Sequence, residues 1–218
     1  MSTTLVQPNL FPALRQFVES LIPEFDQIPA ERKTLLQKLT DYIQSKVQIG
    51  QPIQLTFICT HNSRRSHLSQ LWAQTAAYYY GIPRVQTYSG GTEATAFNPR
   101  AVKGVQKAGF RVIKTGDDAN PVYQVSYADD APAIQAFSKV YDQGGNPRSG
   151  DSAAGFAAVM TCTHADENCP FIPGATRISL PFDDPKAFDD TPQEEARYDE
   201  RTRQIAREIF YAFSQVNL

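Results

Sequence analysis

No run of this chain is apolar and long enough to span a bilayer, and neither sign of charge dominates it. Charged residues make up 20% of its 218 positions with a formal net charge of −2, so the electrostatic footprint of a nucleic-acid or membrane-surface binder is missing. The segment from Met1 to Pro12 lacks the positive start and apolar core of a secretory signal, and a cytoplasmic location is expected. Cysteine is scarce: Cys59, Cys162 and Cys169 are the only three. In a reducing compartment so few thiols argue against a disulfide framework and for catalysis or a metal. The length suits one domain with embellishments.

What is present centres on Cys59-Thr-His-Asn-Ser-Arg-Arg-Ser66. The run at 53–58 before it is apolar and β-branched, as in a buried parallel strand. After it, Leu68, Leu71, Trp72, Thr75, Ala76 and Tyr79 recur on one face of a helix expected over 67–80. A cysteine thus closes a strand, and the loop behind it opens a helix. Successive amides of such a loop, with the positive helix end, cradle a tetrahedral oxyanion, and the same field favours a nucleophilic thiolate. Arg65 can return a planar guanidinium to two oxygens of that anion. A small buried hydrophobe is the plain alternative for a cysteine at a strand end.

Around this stretch the chain divides as follows. Residues 1–50 read as an N-terminal helical extension, with Phe11, Leu14, Phe17, Val18 and Leu21, then Leu35, Leu36, Leu39, Tyr42, Ile43 and Val47, at helical spacing. Their apolar faces are expected to pack on the core, with a homodimer contact as the alternative. Residues 51–218 alternate strand and helix, the pattern of a parallel α/β sheet. A strand at 85–89 leads to a turn at Gly90-Gly91-Thr92, and Asn98-Pro99 opens a helix ended by Gly109. Within 116–155, two runs at 122–127 and 134–141 read as an inserted hairpin followed by a loop over 144–150. A strand at 156–161 delivers Cys162 to the sheet edge that carries Cys59, where α/β sheets bind ligands. A short strand follows at 178–180. Thr191-Pro-Gln-Glu194 fits a capping box ahead of a last helix reaching about Val216.

Together, Cys59 to Ser66, Tyr88-Ser-Gly-Gly-Thr-Glu93, Asn98-Pro99, Cys162 through Cys169-Pro170, and Phe182-Asp-Asp-Pro185 resemble the low-molecular-weight protein tyrosine phosphatase superfamily. Within it they are most similar to the thioredoxin-coupled arsenate reductases. The resemblance runs from about Gln54 to the C-terminus, apart from the inserted hairpin. It implies a three-layer α/β sandwich on a four-stranded parallel sheet. It also implies Cys59 as nucleophile, an oxyanion loop of Thr60, His61, Asn62, Ser63, Arg64, Arg65 and Ser66, and Arg65 as the clamp. Ser66 would hydrogen-bond the thiolate, Asn62 would hold the loop, and Asp184 would be the general acid; a turn or cap residue is its plain alternative. His61, where the family has glycine, and Arg64, where it has cysteine or a small residue, depart from the pattern.

Arsenate and phosphate are nearly isosteric, so the loop alone does not separate a reductase from a phosphatase. After the Asp-Pro pair, Lys186-Ala-Phe188 lacks the tyrosines that hold a phenyl ring in the phosphatases, while Cys162 and Cys169 stand at the reductases' two resolving positions. The resemblance therefore implies arsenate reduction through a Cys59 adduct and a Cys162/Cys169 disulfide relay, no bound cofactor, and thioredoxin as partner and reductant. The alternative is hydrolysis of phosphotyrosine or an aryl phosphate through a Cys59 phosphocysteine. A zinc site using Cys162, His164 and Cys169 would lack a fourth ligand. His67 and His164 read as surface or helix-start residues.

Overall fold

The computed structural model describes residues 8–148, 155–169 and 171–218. The first residues of the N-terminal extension, the end of the loop at 144–150 and Pro170 lie outside them. Four strands, β1 (Ile53–Cys59), β2 (Val85–Gly91), β6 (Phe156–Met160) and β7 (Ala175–Ser179), form a parallel sheet in the order β2-β1-β6-β7. Alternate residues point to opposite faces of a strand, and the two faces carry separate apolar clusters. Leu55, Phe57, Ala157, Val159 and Ile178 face the larger one. Ile58, Phe156, Ala158 and Met160 face a smaller one that also holds all three cysteines.

The large cluster is built by α1 (Pro12–Leu21), α2 (Ala30–Gln48), α3 (Arg65–Tyr79), α4 (Pro99–Lys107) and α6 (Glu194–Ser214). Helix α3 was expected to bury one face. It is buried nearly all round, from Ser66 to Ala77, because α6 covers the side turned away from the sheet. The other layer is thin: the six-residue helix α5 (Thr163–Asn168) and the segment at 138–147.

Both early helices join the core, as their periodicity led one to expect. Leu14, Val18 and Leu21 of α1 and Leu36, Leu39 and Ile43 of α2 are fully buried. Phe17 stacks on Trp72 at 5.3 Å. Gly109 ends the approach to α1: its φ of +105° suits glycine, and a Cβ there would lie 2.3 Å from the Leu14 amide nitrogen.

Two expectations are corrected and one is extended. The expected hairpin is present as β4 (Val122–Ser126) and β5 (Ile134–Ala136), and β3 (Arg111–Thr115), ahead of the excursion, pairs with β4 to make a three-stranded antiparallel sheet. Strand β3 escaped notice because it is a mostly exposed edge strand, without the alternation that burial imposes. Gly90 and Gly91 continue β2 instead of turning. They are glycines because another backbone packs on them, and a Cβ on Gly90 would lie 2.3 Å from Cα of Tyr141. The capping box is displaced as well: Gln193 precedes α6, and Glu194 accepts from the Asp190 amide at 2.6 Å while Thr191 Oγ1 accepts from Gln193.

Candidate active site

Cys59 closes β1 and is 3% exposed, with Sγ 3.1 Å from Ser66 Oγ. The loop behind it is turned inside out relative to ordinary backbone. Its carbonyls point outward: Cys59 and Thr60 accept from the Thr92 and Glu93 amides, His61 from the Thr95 and Ser138 hydroxyls, and Ser63 from the Asn98 amide. Among the described residues, the amides of 61–66 donate to no protein acceptor. The first amides of a helix have no intrahelical partner, so α3 adds to this inward-facing set of donors. Such a ring of amides suits a tetrahedral oxyanion.

Asn62 makes that conformation available. It sits in the left-handed region at φ +43°, which asparagine tolerates better than most side chains. Its Nδ2 donates to Ser66 Oγ at 2.9 Å, and its Oδ1 accepts from the Lys139 amide at 2.9 Å. The excursion thus braces the loop directly, through Ser138 on His61 and Lys139 on Asn62. No motif pointed to Ser138 or Lys139.

Arg65 reaches across to the loop after β7. Its two terminal nitrogens donate to the Phe182 carbonyl at 2.9 Å and to Asp184 Oδ2 at 2.7 Å. Asp184 is also the cap of a short 3-10 turn over Pro185–Phe188, its Oδ1 accepting from the Lys186 amide at 3.1 Å. The plain capping reading and placement beside Arg65 hold together. Arg64, the bulky departure in the loop, is buried. Its Nε donates to the Tyr198 hydroxyl at 2.7 Å and lies 3.9 Å from Asp184 Oδ1, and it pairs with Asp189 at 3.4 Å. Tyr198 in turn donates to Asp189 at 2.8 Å. Burial, then the bond to Asp189, pushes the Tyr198 phenol up to about 12, so it stays a neutral donor. Asp189 and Tyr198 carry no sequence signal; they are recognised only once α6 is docked.

The other two thiols lie on the same small cluster. Cys162 precedes α5, with Sγ accepting from the Ala165 amide at 3.3 Å and lying 3.5 Å from Thr60 Oγ1. Cys169 follows α5 and is buried, which raises its thiol above the ordinary value against the opposing charge of Arg177. The polar stretch between them is helical rather than open loop. All three thiols are free.

One histidine, His67, departs from expectation, and His164 meets it. His67 is wholly buried, bonded to Ser89 at 3.1 Å and packed on Phe97, because α3 is enclosed on every side. Burial, with the Lys139 charge adding to it, holds its imidazole well below the usual range. His164 is exposed, yet its Nδ1 lies 3.3 Å from Thr60 Oγ1. Among the described residues, no three His, Cys, Asp or Glu side chains converge as metal ligands, and no helix is long and apolar enough to cross a membrane.

No protein-family model matches the chain. It is 26% identical over 161 residues to an arsenate reductase of Bacillus cereus strain 03BB102, across 73% of this chain and 92% of that one. It is 27% identical over 130 residues to an arsenate reductase of Bacillus anthracis, across 59% and 74%. Among solved structures it is similar to a low-molecular-weight protein tyrosine phosphatase of T. tengcongensis, with 14% identity and a TM-score of 0.46 over 75% of this chain and 99% of that one. The loop built on Cys59 and Arg65 and the likeness in sequence agree: the chain is similar to arsenate reductases, at 26% identity across 92% of one such relative.

Proposed function

We propose that the enzyme reduces arsenate to arsenite through a thiol relay. The observation that carries this reading is the gathering of Cys59, Cys162 and Cys169 on one small buried cluster, all three free. Cys59 attacks arsenate held by the loop amides and Arg65; Asp184 gives a proton and water leaves, forming a thiol–arsenate adduct. Cys162 then attacks the Cys59 sulfur. A Cys59–Cys162 disulfide forms and arsenite departs with the bonding electron pair, which completes the two-electron reduction. Cys169 attacks Cys162, freeing Cys59 and leaving a Cys162–Cys169 disulfide for an external dithiol of the thioredoxin kind. Burial raises the Cys169 thiol, so loosening of α5 would favour the thiolate that the last transfer uses.

The same nucleophile, clamp and acid would also hydrolyse an aryl phosphate. The two activities separate by experiment. Protein supplied with arsenate, thioredoxin, thioredoxin reductase and NADPH is expected to oxidise NADPH, and Cys162→Ser or Cys169→Ser to abolish this while aryl-phosphate hydrolysis persists. Undiminished arsenate turnover in the Cys162→Ser/Cys169→Ser double variant would remove the relay. Hydrolysis without any arsenate-dependent NADPH oxidation would leave a phosphatase.

A further inference from the structure

Cys162 is 1% exposed, yet the relay needs it as a thiolate. A thiol enclosed by protein ionises readily only where an acceptor stands within reach and connects to solvent. One such route leads from it. Thr60 Oγ1 lies 3.5 Å from Cys162 Sγ and 3.3 Å from Nδ1 of His164, whose residue is exposed. The hydroxyl can donate to one neighbour while accepting from the other.

We propose that His164 takes the proton of Cys162 through the Thr60 hydroxyl. The inference rests on the reading of Cys162 as the first resolving thiol. His164 starts with Nδ1 bare and its proton on Nε2. The Cys162 S–H proton passes to Thr60 Oγ1 as the hydroxyl's own proton passes to Nδ1. A thiolate and an imidazolium result, the hydroxyl is regenerated, and no other bond changes. The Ala165 amide, 3.3 Å from the sulfur, steadies the new charge, and the imidazolium, linked through the Thr60 hydroxyl, stays opposite the thiolate until the sulfur has reacted. His164 never touches the arsenic or the reacting sulfur pair, so it is a positioning residue that sets the charge state of one that does.

The surroundings leave the imidazole to this task. On its own helix stand Asp166 and Glu167, and Asp166 is tied to Arg177 of β7 at 3.1 Å. From the nucleophile loop come Cys59, and His61 paired with Glu93 at 3.9 Å; that is the single imidazole–carboxylate pair among the described residues. Among the described residues, Tyr141, followed by Asp142, and Cys169 also belong to the groups around the cluster.

The test uses the full chain. With three cysteines in the sequence, Cys59→Ser/Cys169→Ser leaves Cys162 as the sole thiol, and its ultraviolet thiolate absorbance can be followed against pH. Adding His164→Gln or Thr60→Val is expected to move thiolate formation up by about one pH unit, and Thr60→Ser, which keeps the hydroxyl, to leave it in place. Circular dichroism of each variant establishes that it is folded. In a Cys169→Ser background, His164→Gln should slow single-turnover arsenite release about tenfold near neutral pH, with recovery as pH rises and the thiol ionises unaided. Superimposable titrations for the parent, His164→Gln and Thr60→Val would overturn the proposal. Should the native protein reduce no arsenate, the relay fails, while the titration still decides whether His164 and Thr60 govern Cys162.

Discussion

The amide of Lys139 donates to Oδ1 of Asn62 at 2.9 Å, so a residue of the excursion holds the side chain that shapes the nucleophile loop. Asn62 passes this on to Ser66 Oγ at 2.9 Å, and Ser66 lies 3.1 Å from Cys59 Sγ. Asn62→Ala breaks both bonds, leaves a buried amide unpaired and keeps a β-carbon at positive φ. Aryl-phosphate hydrolysis should fall by about tenfold or more, and the protein should lose about 2 kcal/mol of stability. Urea unfolding alongside steady-state kinetics measures both; unchanged values would mean that the loop holds its shape without this brace.

Asp184 shares Arg65 with any anion that enters. The Asp184–Arg65 contact at 2.7 Å ties up one end of the guanidinium. Asp184→Asn removes the proposed acid and the competing negative charge together. Turnover should drop by about 10²–10⁴-fold, while inhibition by inorganic phosphate strengthens. Weaker phosphate inhibition would show that the carboxylate helps the anion to bind.

Arg64 is bound by partners on two other elements, Tyr198 at 2.7 Å and Asp189 at 3.4 Å. Arg64→Ala leaves both without it and lets the loop that carries Asp184 drift. A stability loss of about 2–3 kcal/mol is expected, with a larger fall in kcat than rise in KM. Arg64→Lys should recover little, since an ammonium cannot offer the same fork of donors. Full activity in Arg64→Lys would contradict this.

Lys139 supplies a pH dependence. Burial lowers its ammonium from the usual 10.5 to about 8. Below about 8 both folded and unfolded chains bind this proton, and the fold carries the cost of a desolvated charge. Between about 8 and 10.5 the unfolded chain binds more protons than the folded one, so the cost shrinks as pH rises. Lys139→Met should therefore be more stable than the parent at pH 7 by ~3 kcal/mol at most, and the gap should close as pH approaches 10.5. Urea midpoints for the two proteins across that range check it; a constant gap would show that the ammonium finds solvent.

What could be read ahead of the structure was whatever a short stretch of chain encodes. The strand–Cys59–loop–helix unit, the Asn98 cap with its bond to the Arg100 amide, and Asp184 beside its turn are local, and their residue types announce them. Ser138, Lys139, Asp189 and Tyr198 were not legible, because each meets the loop or its arginines from a distant stretch of chain. Strand β3 was missed for the opposite reason: an exposed edge demands little of its side chains. His67 was misread because a polar residue near a helix start is ordinarily wet, and only the docking of β2 through Ser89, of Phe97 and of the excursion makes this one dry.

Trp72, the only indole in the chain, is fully enclosed where α1, α3 and α6 meet, stacked on Phe17 and edge-on to Phe110 and Phe210. Its fluorescence is therefore a built-in reporter on whether the first helix stays seated. A red-shifted emission that preceded the loss of α/β ellipticity on heating would mean that the N-terminal helix lifts off before the catalytic sheet melts, and a single shared transition that enzyme and preface stand or fall as one.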